Sequence, residues 1–362
     1  MPHGSPGQAP FRFVVGCQRS GTNLLASLID RGSDCAVATE DRFVLLFARW
    51  LWLAGDLRHP SARRCLVDSV FAYLYLWEAR DHRGVGLPES ARYGLVAAAS
   101  SRAALAADAS SFDALVRDLF AAYARQRSRG MAAGKIAMRD GGSLAHLTSL
   151  AADVRLVHIV RDGRDVVLSW QATYFGPRTV AGAARRWVAA VTACRAWGHR
   201  HPDRYVEVRY EDLVRDPDRV VAQAGALWGA AVRASAPLDD RAQSLAENPW
   251  LAALAQPPQR DKAGQWVDGL SLRQQAEVLA VAGPLLAELG YWNGASPDAS
   301  PWRRLAARGK AVAADLLASV TYRRAAADLL PMGLLLAARL RLPVNAVLLR
   351  RLDRALASLG IP

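Results

Sequence analysis

A short apolar run, Phe11 to Val15, leads into Gly16, and a second glycine follows at Gly21 just before leucines and isoleucine begin to recur at helical spacing. Strand, tight loop and helix, with a glycine at each end of the loop, constrain the chain to an α/β unit whose turn gathers backbone N–H groups at a helix start. The helix is expected from Thr22, because Leu24, Leu25, Leu28 and Ile29 fall on one face. The loop Gly16-Cys17-Gln18-Arg19-Ser20-Gly21-Thr22-Asn23 has phosphate-loop spacing, yet the nucleoside triphosphate pattern places lysine after the second glycine, where this chain has Thr22. Arg19 supplies positive charge from inside the loop instead, and the Ser20 and Thr22 hydroxyls add donors.

Further strands are expected at Cys35 to Thr39, Leu156 to Val160 and Tyr205 to Tyr210, with a helix at Arg185 to Trp197. Strand and helix in alternation point to a mainly parallel sheet. Residues 43–130 read as a helical, aromatic-rich insertion, broken near His59-Pro60 and Gly84 to Pro88. The expected fold is therefore α/β: a P-loop-like parallel sheet flanked by helices, spanning residues 10–292, with that insertion and a basic amphipathic helical extension at 296–362. With 52% hydrophobic and 22% charged residues in 362, wholesale disorder is excluded. The longest stretch without a charged side chain, Val220 to Val232, is too short to cross a bilayer as a helix.

Residues 1–10 lack the pattern of a secretory leader. The widely spaced Cys17, Cys35, Cys65 and Cys194 form neither a metal-ligand spacing nor a dense disulfide framework. A reducing cytosol fits these features. The net charge is +13 and only Lys135, Lys262 and Lys310 are lysines, an arginine bias that fits a GC-rich genome and an attraction to anions. His199-Arg200-His201 is too sparse for a metal site, and none is expected.

After Leu156 to Val160 comes Arg161-Asp162-Gly163-Arg164-Asp165-Val166-Val167-Leu168-Ser169. A guanidinium directly after a strand and a hydroxyl eight residues later suit a phosphate, and Asp162 and Asp165 suit helix capping or orientation of the arginines. The Arg19-Ser20-Gly21-Thr22 loop and this motif together resemble the 5′-phosphosulfate and 3′-phosphate motifs of the sulfotransferase family, whose donor is 3′-phosphoadenosine 5′-phosphosulfate (PAPS). Tyr210-Glu211-Asp212-Leu213, Gly264-Gln265-Trp266 and Leu289-Gly290-Tyr291 extend the resemblance. It implies a bacterial PAPS-dependent enzyme that leaves 3′,5′-phosphoadenosine and uses no metal. Arg19, Ser20, Gly21, Thr22, Asn23, Arg161, Ser169, Tyr210, Arg260, Lys262 and Gly264 would hold the nucleotide.

The segment Glu40-Asp41-Arg42 resembles the Glu-x-Arg of the tyrosylprotein-sulfotransferase branch. Glu40 is accordingly the expected base on the acceptor hydroxyl, Lys135 the cation at the leaving phosphate, and Arg42 an aid in placing the acceptor or the sulfuryl group. Glycan, lipid, natural-product and tyrosine hydroxyls all remain open as acceptors. A P-loop kinase, and an inactive nucleotide- or membrane-binding protein, are the competing readings. Nucleic acid is not an expected partner. For the basic tail three readings stand side by side: a helix lying on the anionic inner face of a membrane, packing on the catalytic domain, and a homodimer interface.

Overall fold

The computed structural model describes residues 9–39, 42–81, 95, 102–108, 110–138, 142–148, 153–173, 177, 179–233, 258–293, 309 and 322–358. β1 (Phe11–Cys17) is followed by α1 (Thr22–Gly32), β2 (Cys35–Thr39), α2 (Arg42–Trp50) and α3 (Pro60–Asp81). Next come α4 (Arg102–Asp108), α5 (Phe112–Gln126), β3 (Met131–Met138), α6 (Gly142–Thr148) and β4 (Val154–Val160). Then follow α7 (Gly163–Gln171), α8 (Val180–Arg200), β5 (Tyr205–Arg209), α9 (Tyr210–Arg215) and α10 (Pro217–Trp228). α11 (Leu272–Glu288), α12 (Tyr322–Arg339) and α13 (Val344–Ser358) complete the order.

The strands form one parallel sheet in the order β2-β3-β1-β4-β5. β1 is central and almost wholly buried, which explains why it is apolar on both faces apart from the half-buried Arg12 near its start. Its side chains still divide by the two-residue period of a strand. Phe11, Phe13 and Val15 pack with residues of α2, α3, α5, α7 and α8. Val14 packs with Leu25, Leu28 and Ile29 of α1 and with Leu213 and Trp228 from α9 and α10. Helices therefore cover both faces of the sheet.

Local chemistry fixes the helix ends. Ser111, Thr179 and Asp216 accept from the first-turn N–H groups of α5, α8 and α10, and Ser271 and Gln274 form a reciprocal capping box at α11. The buried Asp30 carboxylate accepts from Val37 N at 2.7 Å and from Arg127 Nη2 at 3.0 Å, tying α1, β2 and the end of α5 together.

The expected strands all form. β2 has the expected bounds, β1 runs on to Cys17, β4 begins at Val154, and Tyr210 opens α9 rather than closing β5. The expected break near His59-Pro60 is the start of α3, while the break at Gly84 to Pro88 lies outside the described residues. β3 is the element that sequence patterning missed. Its Met-Ala-Ala-Gly-Lys-Ile-Ala-Met sequence has one β-branched residue, and it is a strand because β1 and β2 pair with it on either side.

From β1 the chain passes to α1 on one face of the sheet, and from neighbouring β4 it passes to α7 on the other. The crevice beyond the carboxyl ends of β1 and β4 is the switch point at which open α/β sheets hold ligands. Both arginine-bearing turns open there.

Candidate active site

The turn after β1 is strained. Gly21 has φ 94° and Arg19 has φ 73°, both left-handed, and the Ser20 N–H turns back to Cys17 O at 3.1 Å. Only glycine fits the second position. A Cβ there would lie 2.5 Å from Cδ2 of Tyr210, in addition to the backbone penalty. The N-terminus of α1 has no side-chain cap and no acidic residue in its first turn, so its N–H groups and positive dipole end are open to an anion. The Ser20 hydroxyl is fully buried and has no partner among the described residues.

The turn after β4 meets it directly. Arg161 Nη1 donates to the carbonyl of Arg19 at 3.4 Å, and Arg19 Nε donates to the Ser169 hydroxyl at 2.9 Å. The two motifs, some 150 residues apart in sequence, thus share a hydrogen-bonded cluster. The Arg161 guanidinium lies 4.3 Å from the Tyr210 ring centroid and also donates to the Lys262 carbonyl. Its Nε is buried without a partner. Burial, then the neighbouring charge of Arg161, hold the Arg19 guanidinium below its ordinary pKa.

Lys135 is 1% exposed, and its Nζ donates to Asn23 Oδ1 at 2.6 Å. The ammonium therefore sits against the first turn of α1. In register, Lys135 pairs with Val14 of β1 and with Thr39, the last residue of β2. Glu40 lies outside the described residues. Arg42 begins α2, and its side chain is outside them too.

A third segment closes on the turn after β4. The buried Asp165 carboxylate accepts from Gly264 N at 2.7 Å and Trp266 N at 2.9 Å, and stands 3.8 Å from Arg161 Nη2. Burial pushes the Asp165 carboxyl above its ordinary pKa, against the pull of those N–H groups and of Arg161. Arg164 pairs with Asp162, which caps α7, and its guanidinium lies 3.6 Å from the Trp266 ring centroid. Glu211 accepts from Asp162 N at 3.0 Å and from Tyr291 OH at 2.8 Å, so the Tyr210-Glu211 and Gly290-Tyr291 segments brace the same turn.

Arg19, Ser20, Gly21, Thr22, Asn23, Lys135, Arg161, Ser169, Tyr210, Lys262 and Gly264 are thus drawn to one edge of the sheet. Lys262 takes part there through its carbonyl. Arg260 is exposed and turns away to donate to Arg215 O at 2.9 Å. Tyr210 is largely buried between Gly21 and Arg161. Sequence reading left the contact of Asp165 with Gly264 and Trp266 unseen, since a separation of 99 residues leaves no local pattern. The indole of Trp170, which fixes Gln18 O at 2.9 Å, and that of Trp187, which fixes Arg161 O at 3.0 Å, were missed likewise.

Away from this cluster, the His201 ring stacks on Trp197 with centroids 4.4 Å apart. Among the described residues no group of three His, Cys, Asp or Glu side chains is arranged to hold a metal ion.

The chain matches no curated protein. It is similar in structure to the sulfotransferase domain of the olefin synthase of Synechococcus PCC 7002, at 19% identity and TM-score 0.45, over 79% of this chain and 98% of that one. It is similar also to the sulfotransferase domain of the curacin biosynthetic pathway, at 14% identity and TM-score 0.45, over 79% and 99%. Sulfotransferase STF9 from Mycobacterium avium aligns at 16% identity and TM-score 0.36, over 80% and 78%. The model of the sulfotransferase family matches residues 10–231, well over half of the sequence and the stretch that carries both arginine turns, and the chain belongs to that family.

Proposed function

We propose that the chain transfers the sulfuryl group of PAPS to a hydroxyl of a glycan, lipid, natural-product or tyrosine acceptor. The observation that carries this reading is the convergence of Arg19 and Arg161 beside Ser169 at the switch point of the sheet. The donor set fits a nucleotide with phosphates at both its 5′ and 3′ positions. Two buried donors, Ser20 Oγ and Arg161 Nε, have no acceptor among the described residues, and the α1 N-terminus has no side-chain cap among them. Buried donors without acceptors are costly unless a ligand supplies one.

Bound PAPS supplies an SO₃ unit joined to its 5′-phosphate through an oxygen that leaves as phosphate. The α1 turn, with the Ser20 and Thr22 hydroxyls and Arg19, is assigned to the 5′ side. Arg161 and Ser169 are assigned to the 3′-phosphate, with the Gly264 segment closing over them. Lys135 holds a compact positive charge at the first turn of α1, oriented by Asn23. A charge fixed before reaction needs no reorganisation as the leaving oxygen becomes negative. Glu40 is assigned the proton of the acceptor hydroxyl, and Arg42 the placing of the acceptor.

Release of 3′,5′-phosphoadenosine from PAPS, followed across a panel of glycan, lipid, phenolic and peptide acceptors, tests the reading. Glu40→Gln is expected to keep nucleotide affinity and to lose about 10²- to 10⁴-fold in turnover, the range of a general base. Full turnover by that variant would remove Glu40 from the reaction. Absence of donor-dependent transfer with every acceptor class would count against the enzyme reading.

A further inference from the structure

The C-terminal helices α12 and α13 have one face docked and one bare. Inward, Leu334, Leu335 and Leu349 are buried in the core against α3, and Asn345 Nδ2 bonds Ser69 Oγ at 3.1 Å and Leu334 O at 3.2 Å. The Arg102–Asp353 pair at 2.6 Å pins α13 to α4. The hairpin is therefore held to the rest of the chain by its inner side. Outward, Leu336, Leu340, Leu342, Val344 and Val347 are exposed, Leu340 by 67%. Arg341, Arg350, Arg351 and Arg354 lie exposed among them, while Arg339 turns its guanidinium to Leu53 O at 3.5 Å. Asp353 on α13 is engaged by Arg102, and α12 carries one further acidic residue, Asp328, in its first half.

The bend between the two helices is a Schellman cap with its left-handed residue at Arg341. Leu342 N returns to Ala337 O at 2.8 Å and Arg341 N to Ala338 O at 3.1 Å, and Arg341 has φ 55°. Glycine is the usual occupant of that position, so an arginine there keeps its charge at the tip against a backbone preference. The apolar stretches Leu329–Arg339 and Val344–Arg351 meet at 109°. No single helix among the described residues is long and apolar enough to cross a membrane, and docking on α3 ties the hairpin to one side.

We propose that the outer face of the α12–α13 hairpin docks on an anionic lipid surface, with the Leu340–Val344 tip entering the headgroup boundary and the arginines reaching the lipid phosphates. Exposed leucines interspersed with exposed arginines that outnumber the acidic residues of the hairpin, on a face whose reverse side is pinned, match that surface in polarity and in charge. A protein partner of the same patch would bury the leucines but would not by itself account for the arginine excess.

Flotation of the full chain with vesicles of phosphatidylcholine alone, or containing about one third phosphatidylglycerol, tests this. Binding to the anionic vesicles only is expected, with loss at about 1 M salt, where screening shortens to about 3 Å. Arg341→Gly relieves the left-handed strain and should leave thermal stability equal or higher, yet weaken vesicle binding about fivefold for the one charge removed. Leu340→Ser with Leu342→Ser should abolish flotation while far-ultraviolet dichroism and nucleotide binding persist. Equal binding to neutral vesicles, no flotation, or flotation indifferent to both variants would overturn the proposal. So would a dimer in solution that the leucine variant converts to monomer without any vesicle binding, since the patch would then be a face between copies.

Discussion

Lys135 shows how a single residue gains meaning from its neighbours. It is one of three lysines in a chain that otherwise uses arginine, and β3 buries it beside Asn23 at the start of α1. An ammonium is a compact point charge, whereas a guanidinium is a planar fork that needs more room and a different acceptor geometry. Lys135→Arg is therefore expected not to rescue function. Both Lys135→Arg and Lys135→Ala should lower turnover about 10²- to 10³-fold, the scale of removing one preorganised donor from a developing negative charge. Isothermal binding of 3′,5′-phosphoadenosine should change much less than turnover, and near-normal turnover in Lys135→Arg would show that the site asks only for charge. At this scale much was legible. Arg161 stood out because it directly follows an apolar strand, Arg19 because it lies inside the glycine-bounded loop, and the glycine pair marked the turn that only Gly21 can make. Lys135 could be singled out only by resemblance and rarity, because its strand has the composition of neither strand nor helix.

At the scale of elements, the segment from Arg260 to Trp266 depends on α7. Asp165 accepts both its Gly264 and Trp266 N–H groups, and Arg164 lies over the Trp266 ring. Asp165→Asn keeps the shape but loses one acceptor oxygen and the charge. A weaker hold on Gly264 should raise the KM for the donor about tenfold, with kcat affected less. Stability gives an independent readout with a definite sign. The carboxyl pKa is raised in the folded state, chiefly by burial. The folded protein then binds the proton more tightly than the unfolded chain, so this group's contribution is full below the ordinary aspartate value and falls as pH rises through the raised one. Urea unfolding from below the ordinary aspartate value up to about pH 7 should show the wild type losing stability relative to Asp165→Asn as pH rises. The opposite trend would mean that the two N–H groups and Arg161 outweigh burial. This contact was invisible in the sequence for a physical reason: helix and strand periodicity report which face is buried, not which distant loop lies against it. β1 and β4 were legible because central parallel strands are mostly apolar, and β5 because Val206 and Val208 alternate with Glu207 and Arg209, whereas β3 escaped because Ala132, Ala133 and Gly134 carry little side chain to read.

For the whole molecule, the sheet order decides the chemistry. Because β1 and β4 are neighbours while their following helices take opposite faces, the two turns open on one crevice, and residues about 150 apart in sequence share a hydrogen bond. The α12–α13 hairpin was legible as amphipathic and basic, but which side it buries depended on α3, whose position no local pattern reports. In the proposed function one nucleotide satisfies both arginine turns together. Thermal unfolding with 3′,5′-phosphoadenosine, ADP and AMP, each at matched concentration, tests it most directly. A ligand at about 100 times its Kd stabilises the folded state by about 2.7 kcal/mol, so selectivity reads out as a difference in Tm. The shift should be largest for 3′,5′-phosphoadenosine, and Arg161→Ala should bring it down to that of AMP. Equal shifts for all three nucleotides, or an undiminished preference in Arg161→Ala, would contradict the shared grip.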